Sequence, residues 1–314
     1  MAEAEGIHVV EGGAGGSYVR GEIDRRIFEH GERVHSYELT DRDELRMRRS
    51  GEIVGKLVPL GEYAVSGKGG RLRRRVLAVR AAPRRRGGGG SGGPTLLYAH
   101  SNGHDLGTLL WTSLLQTLAD ASGCEVFAFE FPGYGPADPS EVSSEDAVRA
   151  MIAAYGAVID AVGRRSRGAG SKPADVLFAG FSMGTGVAVE ATRRLIAGGS
   201  LRPPAGLFLE GAYASLFKTS SGRRPYGLPG VRHAMRALGA PFNTLRTLGK
   251  PTFTVPIWVV HGEDDRTCPV KGARRIAALP VCEASLFIPR RRHTGLPEDE
   301  RFTAFLRAFC VGRG

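Results

Sequence analysis

The most constraining feature of the chain is a succession of short apolar runs, each followed by a longer amphipathic stretch, from Thr95 to Cys310. A parallel sheet covered by helices on both sides buries its strands on both faces, and such strands read as nearly unbroken apolar runs. The runs are "TLLYAH", "CEVFAFEF", "DVLFAGF", "GLFLEGA", "PIWVVHG" and "EASLFIP". Between them "DLGTLLWTSLLQTLADA", "SEDAVRAMIAAYGAVIDAV", "MGTGVAVEATRRLIA", "VKGARRIAAL" and "PEDERFTAFLRAFC" predict helices. A βαβα order predicts an α/β fold with helices on both faces of a mostly parallel central sheet.

Upstream, "IVGKLVPLGEYAV" and "RLRRRVLAVRAAP" read as short β segments joined by the turn "SGKGG", which predicts an antiparallel start. The tract "PRRRGGGGSGGP" reads as a flexible loop. Residues 1–50 are polar and charged and are read as a partly disordered amino-terminal arm with at most a short helix. Residues 51–314 are read as one domain, a size common for a single α/β unit. There is no run of about 18 apolar residues, and "MAEAEGIHVVEGG" lacks the basic start and apolar stretch of a secretory signal. Cys124, Cys268, Cys282 and Cys310 show no CxxC spacing, the pattern of reduced cysteines in a cytoplasmic compartment. The net charge of +11 comes partly from arginine runs at Arg73 to Arg75, Arg84 to Arg86 and Arg290 to Arg292. These are read first as solvated faces, with peripheral contact to an anionic membrane as the partner they would favour. No stacking aromatics are interleaved with them, which argues against nucleic acid.

In sheets of this kind chemistry sits where strands end and loops lead into helix amino termini. Gly180-Phe181-Ser182-Met183-Gly184 matches GxSxG, in which a serine is held exposed on a sharp strand-to-helix turn. With 45 glycines in 314 residues the pattern alone is weak, and it recurs at Gly89-Gly90-Ser91-Gly92-Gly93 inside the flexible loop. Ser182 lies between an apolar run and a helical stretch, whereas Ser91 has neither neighbour, so Ser182 is the expected nucleophile. The glycines of "GTGVAV" do not complete a dinucleotide-binding GxGxxG.

A serine hydroxyl needs a histidine base oriented by a carboxylate, and in this fold class the chain order is serine, acid, histidine. Of the histidines after Ser182, His233 and His261 both precede the acidic cluster Glu263, Asp264 and Asp265. His293 follows the last strand and precedes the last helix, where a loop can carry an imidazole back over the serine. Asp265 is the preferred acid and Asp264 its rival. The oxyanion of acyl transfer needs two backbone N–H donors, one from Met183 and one from the loop after "TLLYAH". That loop also crowds His100, His104 and Asp105, three zinc-ligand types, into six residues. Because the proposed chemistry needs no metal or other cofactor and does need a donor loop there, the backbone reading is preferred. His100 is then a structural histidine, Asp105 a helix cap, and His104 has no assigned role.

Together "LLYAHSNGHDLG", "FEFPGYG", "LFAGFSMGTGVAVE", "VVHGEDD" and "RRRHTG" resemble the α/β-hydrolase superfamily. Within it they resemble the α/β-hydrolase domain-containing 17 depalmitoylases and the serine aminopeptidase-like (S33-type) hydrolases. The resemblance covers roughly Ile53 to Cys310 and implies Ser182, Asp265 and His293 as triad, with the amides of Met183 and Asn102 as oxyanion hole. Relatives carry His-Gly-Asn where this chain has His100-Ser101-Asn102, which leaves Gly103 as the alternative donor. It implies an α/β-hydrolase fold and an acyl-enzyme hydrolase of esters or thioesters, including acyl groups borne by proteins, with depalmitoylation among them. Only Tyr213 to Lys250 is available for a lid, so the lid is expected to be small or absent. A serine aminopeptidase-like amidase and a catalytically silent binding protein are the alternatives.

Overall fold

A computed structural model describes residues 36–58, 60, 62–67, 70–84, 93–136, 143–169, 175–216, 219 and 242–312. The expected flexible loop around Ser91, His233 and most of the segment considered for a lid lie outside these residues.

All six apolar runs are strands of one sheet: β7 (Thr95–Ala99), β8 (Glu125–Phe129), β9 (Val176–Phe181), β10 (Leu207–Glu210), β11 (Ile257–Gly262) and β12 (Cys282–Ile288). With β6 (Ala78–Ala81) they make a seven-stranded sheet in the order β12-β11-β10-β9-β7-β8-β6. Only β6 runs antiparallel, against β8, so the antiparallel start and the parallel body both follow the sequence reading. The runs are continuous because alternate residues serve different layers. Leu97, Phe129 and Phe178 face one apolar cluster, whereas Leu96, Tyr98 and Leu177 face the other.

The first cluster is closed by α3 (Ser144–Ala169), α4 (Met183–Gly198) and α6 (Val270–Ala277), through Met151, Tyr155, Val187 and Ile276. The second is closed by α1 (Leu106–Trp111), α2 (Leu114–Ser122) and α7 (Glu300–Val311), through Leu109, Leu118, Phe302 and Phe309. A short α5 (Thr244–Leu248) lies between β10 and β11 in sequence. Each such side chain, fully buried, contributes about 1.5–3 kcal/mol. Helices on both faces of a mostly parallel sheet thus match the expected α/β-hydrolase architecture. No helix among the described residues is long and apolar enough to cross a membrane.

One expectation needs correction. The stretch "DLGTLLWTSLLQTLADA" is two helices, interrupted at Ser113, which adopts φ 57°. A continuous helix would place Ser113 on the buried face, one turn after Leu109. The break rephases the helix so that Leu115 and Leu118 face inward instead. The described part of the segment before residue 50 carries two short strands. Tyr37–Leu39 (β1) and Glu44–Met47 (β2) form an antiparallel sheet with Ile53–Lys56 (β3). Tyr37, Leu45 and Met47 are buried. The remaining strands, β4 (Glu62–Gly67) and β5 (Gly70–Arg75), pair as a hairpin.

Candidate active site

Ser182 stands between β9 and α4 with φ 53° and ψ −115°, a backbone conformation that L-residues rarely adopt. Its N–H donates to the Glu210 carbonyl at 2.9 Å, and its carbonyl accepts from Thr185 N–H and Oγ1–H, which fixes the turn. The flanking glycines are required by crowding. A Cβ on Gly180 would strike the backbone of Gly184 and Thr185, and one on Gly184 would strike the carbonyls of Ala99 and His100. The turn therefore sits directly against the end of β7.

His293, on the loop after β12, comes back over this turn. Ser182 Oγ–H donates to His293 Nε2 at 2.8 Å, and His293 Nδ1–H donates to Asp265 Oδ2 at 2.7 Å. The three residues are 28 and 111 positions apart in sequence, so only the parallel topology brings them together. The ring of His293 lies 4.9 Å from that of Phe181 and rests against Gly211, where a Cβ would press on the imidazole. Gly262 has the same function one strand over, because a Cβ there would collide with the carbonyls of Arg291 and Arg292.

Asp265 is buried beyond the end of β11, whereas Asp264 is exposed and donates its N–H to the Arg291 carbonyl. Burial disfavours the Asp265 carboxylate. It is outweighed by hydrogen bonds from His261 and His293, by the charge His293 can carry, and by the Cys268 N–H, which together hold the carboxyl well below the usual range. Oδ1 accepts from the N–H groups of Thr267 and Cys268, each at 2.8 Å. Oδ2 lies 3.2 Å from His261 Nε2, whose N–H also reaches the Cys268 carbonyl at 2.7 Å.

His261 was visible in the sequence only as a rival base. The structure turns it into a second imidazole facing the carboxylate, with its Nδ1 buried and without a hydrogen-bond partner. Its spacing of four residues from Asp265 is the signal that could have found it. Cys268 also escaped attention. Its thiol is buried, and its acidity is suppressed first by burial and then by Asp265.

The loop after β7 meets the first turn of α4 because Ala99 pairs with Gly180 across the sheet. His104 N–H bonds the Ser101 carbonyl, so Asn102 and Gly103 are the central residues of a tight turn. Asn102 is held by the Tyr134 hydroxyl, and a Cβ on Gly103 would meet open space. The three side chains that suggested a metal site point to different partners. His100 Nδ1–H donates to the Ser101 carbonyl and Nε2 stands 3.0 Å from Glu130, while Asp105 caps α1 through Thr108. Among the described residues no three histidine, cysteine or acidic side chains converge on one point. His104 is pushed down to about 4 by burial, then by His100 and His293, so it is neutral near pH 7.

Of the arginines before His293, Arg291 is tied to Glu298 and Asp299. Arg290 is exposed at φ 61°. Arg75 pairs with Asp43, Arg73 with Glu62 and Arg84 with Asp120, while Arg85 and Arg86 lie outside the described residues.

No curated protein matches the chain at a significant level. Among solved structures it is similar in fold to carboxyl esterase 2 of the fungus Tuber melanosporum, at 18% identity and a TM-score of 0.57, covering 90% of this chain and 92% of that one. An esterase of Pyrococcus furiosus gives 16% identity and a TM-score of 0.52, over 81% of this chain and 91% of that one. A meta-cleavage product hydrolase of Pseudomonas fluorescens gives the same identity and TM-score, over 80% and 98%. Residues 96–308 match the model of the alpha/beta hydrolase family, and the chain belongs to that family.

Proposed function

We propose that the protein is a serine hydrolase that cleaves ester or thioester acyl bonds through an acyl-enzyme. Ser182 attacks the carbonyl carbon while His293 Nε2 takes the hydroxyl proton and then returns it to the leaving alcohol or thiol. Asp265 keeps His293 in the tautomer that leaves Nε2 free to accept, and stabilises the imidazolium. The amides of Met183 and Asn102 receive the oxyanion, and water then deacylates Ser182 by the same proton route. The observation that carries this reading is the unbroken hydrogen-bond chain from Ser182 Oγ through His293 to the buried Asp265. The lowered pKa of Asp265 supports its role, because the carboxylate stays charged near neutral pH. Protein-borne acyl chains, palmitoyl thioesters among them, are the substrate class we favour. Residues 51–314 are the hydrolase domain in this reading, and β1 and β2 of the preceding segment join it through β3.

The test is labelling with a fluorophosphonate probe. Wild type and Ser91→Ala are expected to label equally and Ser182→Ala not at all; retained labelling of Ser182→Ala removes the assignment. A chain-length series of acyl esters, acyl thioesters and aminoacyl amides then selects the substrate, with thioester and ester turnover expected to exceed amide turnover.

A further inference from the structure

The family match begins at residue 96, yet two residues about sixty positions earlier are built into the proposed site. Asp105, at the end of the donor loop, is fully buried. Its Oδ2 accepts from Ser36 N–H at 2.7 Å and its Oδ1 from Ser36 Oγ–H at 2.6 Å. Oδ1 also takes the Thr108 N–H and hydroxyl, so the side chain that caps α1 is at the same time fastened to the amino-terminal segment. Tyr37, also fully buried, donates its hydroxyl to Glu130 Oε2 at 2.9 Å. The same oxygen accepts from Leu106 N–H at 3.0 Å, and the other carboxylate oxygen stands 3.0 Å from His100 Nε2.

Glu130 thus holds the far end of the donor loop through Leu106, with its other oxygen lying beside His100, and Tyr37 braces Glu130 from behind. The fit is tight. A Cβ on Gly107 would strike Ser36 and Tyr37, and one on Gly135 would strike Tyr37 and Glu130. Tyr134 holds Asn102 between the two ends. Burial, then Glu130, raises the Tyr37 phenol well above its ordinary range, so it remains a donor.

We infer that Ser36 and Tyr37 are positioning residues for the oxyanion hole: the β1 segment holds residues 100–106 so that the loop's amide is already aimed when charge develops on the substrate oxygen. The inference rests on the serine hydrolase reading. Fixed donors stabilise a transition state because they need no reorganisation when the charge appears. Loosening their support should therefore lower turnover while leaving ground-state binding nearly untouched.

The test uses the full-length protein, p-nitrophenyl butyrate as substrate and phenylboronic acid as a tetrahedral mimic. Tyr37→Phe keeps the ring and removes one hydrogen bond, and Ser36→Ala removes another. Each is expected to lower kcat by about tenfold, and the pair by about a hundredfold, with KM within about twofold. The inhibition constant for phenylboronic acid should rise by the same factor as kcat falls. Unchanged kcat and boronate affinity in both variants would overturn the inference, whether or not the melting temperature drops. A rise in KM alone would also overturn it, since that marks a substrate-binding role. If Ser182→Ala keeps its activity, the failure belongs to the serine hydrolase reading. If Ser182→Ala is inactive and the Ser36 and Tyr37 variants behave as wild type, only the positioning role fails.

Discussion

Asp265 and Glu210 lie near the ends of neighbouring strands, are almost equally hidden at 6% and 4% exposure, and have opposite acidities. Around Asp265 the backbone turns two N–H groups and two imidazoles toward the carboxylate, and together they overcome burial. Around Glu210 burial acts alone and pushes the carboxyl up to about 8, so this side chain is neutral at pH 7. Burial therefore does not decide whether a carboxyl group can orient a base. The donors supplied by the loop after the strand decide it. β11 leads into a loop that folds back on its own aspartate, whereas Glu210 still lies within β10, where its backbone serves the sheet and the Ser182 turn.

The comparison is broken most severely at Asp265. Asp265→Asn is expected to lower kcat on p-nitrophenyl butyrate by about 10⁴-fold, the size seen when a comparable triad loses its carboxylate, whereas Asp264→Asn should stay within about threefold. Steady-state kinetics with matched folding controls checks both. A smaller change comes from His261→Phe, which keeps a ring but removes one of the donors to Asp265. We expect about a tenfold loss of kcat with KM little changed, on the scale of one hydrogen bond to a charged group.

The two carboxyl groups should also give stability profiles of opposite slope. Asp265 is more acidic folded than unfolded, so its contribution is present above about pH 4 and is lost as the pH falls further. Glu210 is less acidic folded than unfolded, so its contribution is complete below about pH 4.5 and is lost as the pH rises to about 8. Glu210→Gln should accordingly be more stable than wild type at pH 8, by on the order of several kcal/mol, with the difference vanishing near pH 4. Activity should change the least of the four, within about twofold, because the substitution leaves in place the backbone carbonyl that holds Ser182 N–H. Urea unfolding midpoints across this pH range measure the effect, and a flat difference between the two proteins contradicts it.

The parts of this molecule that could be read in the sequence are those in which local pattern and chemistry coincide. β7 to β12 were legible because burial on both faces leaves an apolar run with few alternatives. Ser182, Asp265 and His293 were singled out because each follows such a run, in the order the fold imposes, and the structure brings their side chains into one chain of hydrogen bonds. β1 and β2 were not legible, since three or four residues with one or two inward positions carry too little periodicity inside a charged stretch. The attachment of Ser36 to Asp105 and of Tyr37 to Glu130 spans 69 and 93 positions, beyond any local signal. Glu210 lies inside the run "GLFLEGA", and nothing local marks it as buried at 4% exposure. The helix break at Ser113 was hidden because its flanks carry the same apolar spacing on either side.

Acylation of Ser182 is the step on which the proposed chemistry depends. Wild type and Ser182→Ala can be mixed with p-nitrophenyl butyrate, quenched in acid within the first turnover, and weighed intact with peptide mapping. A butyryl increment is expected on the wild type, confined to the peptide containing Ser182, and none on Ser182→Ala. An increment on another residue, or undiminished turnover by Ser182→Ala, would contradict that chemistry.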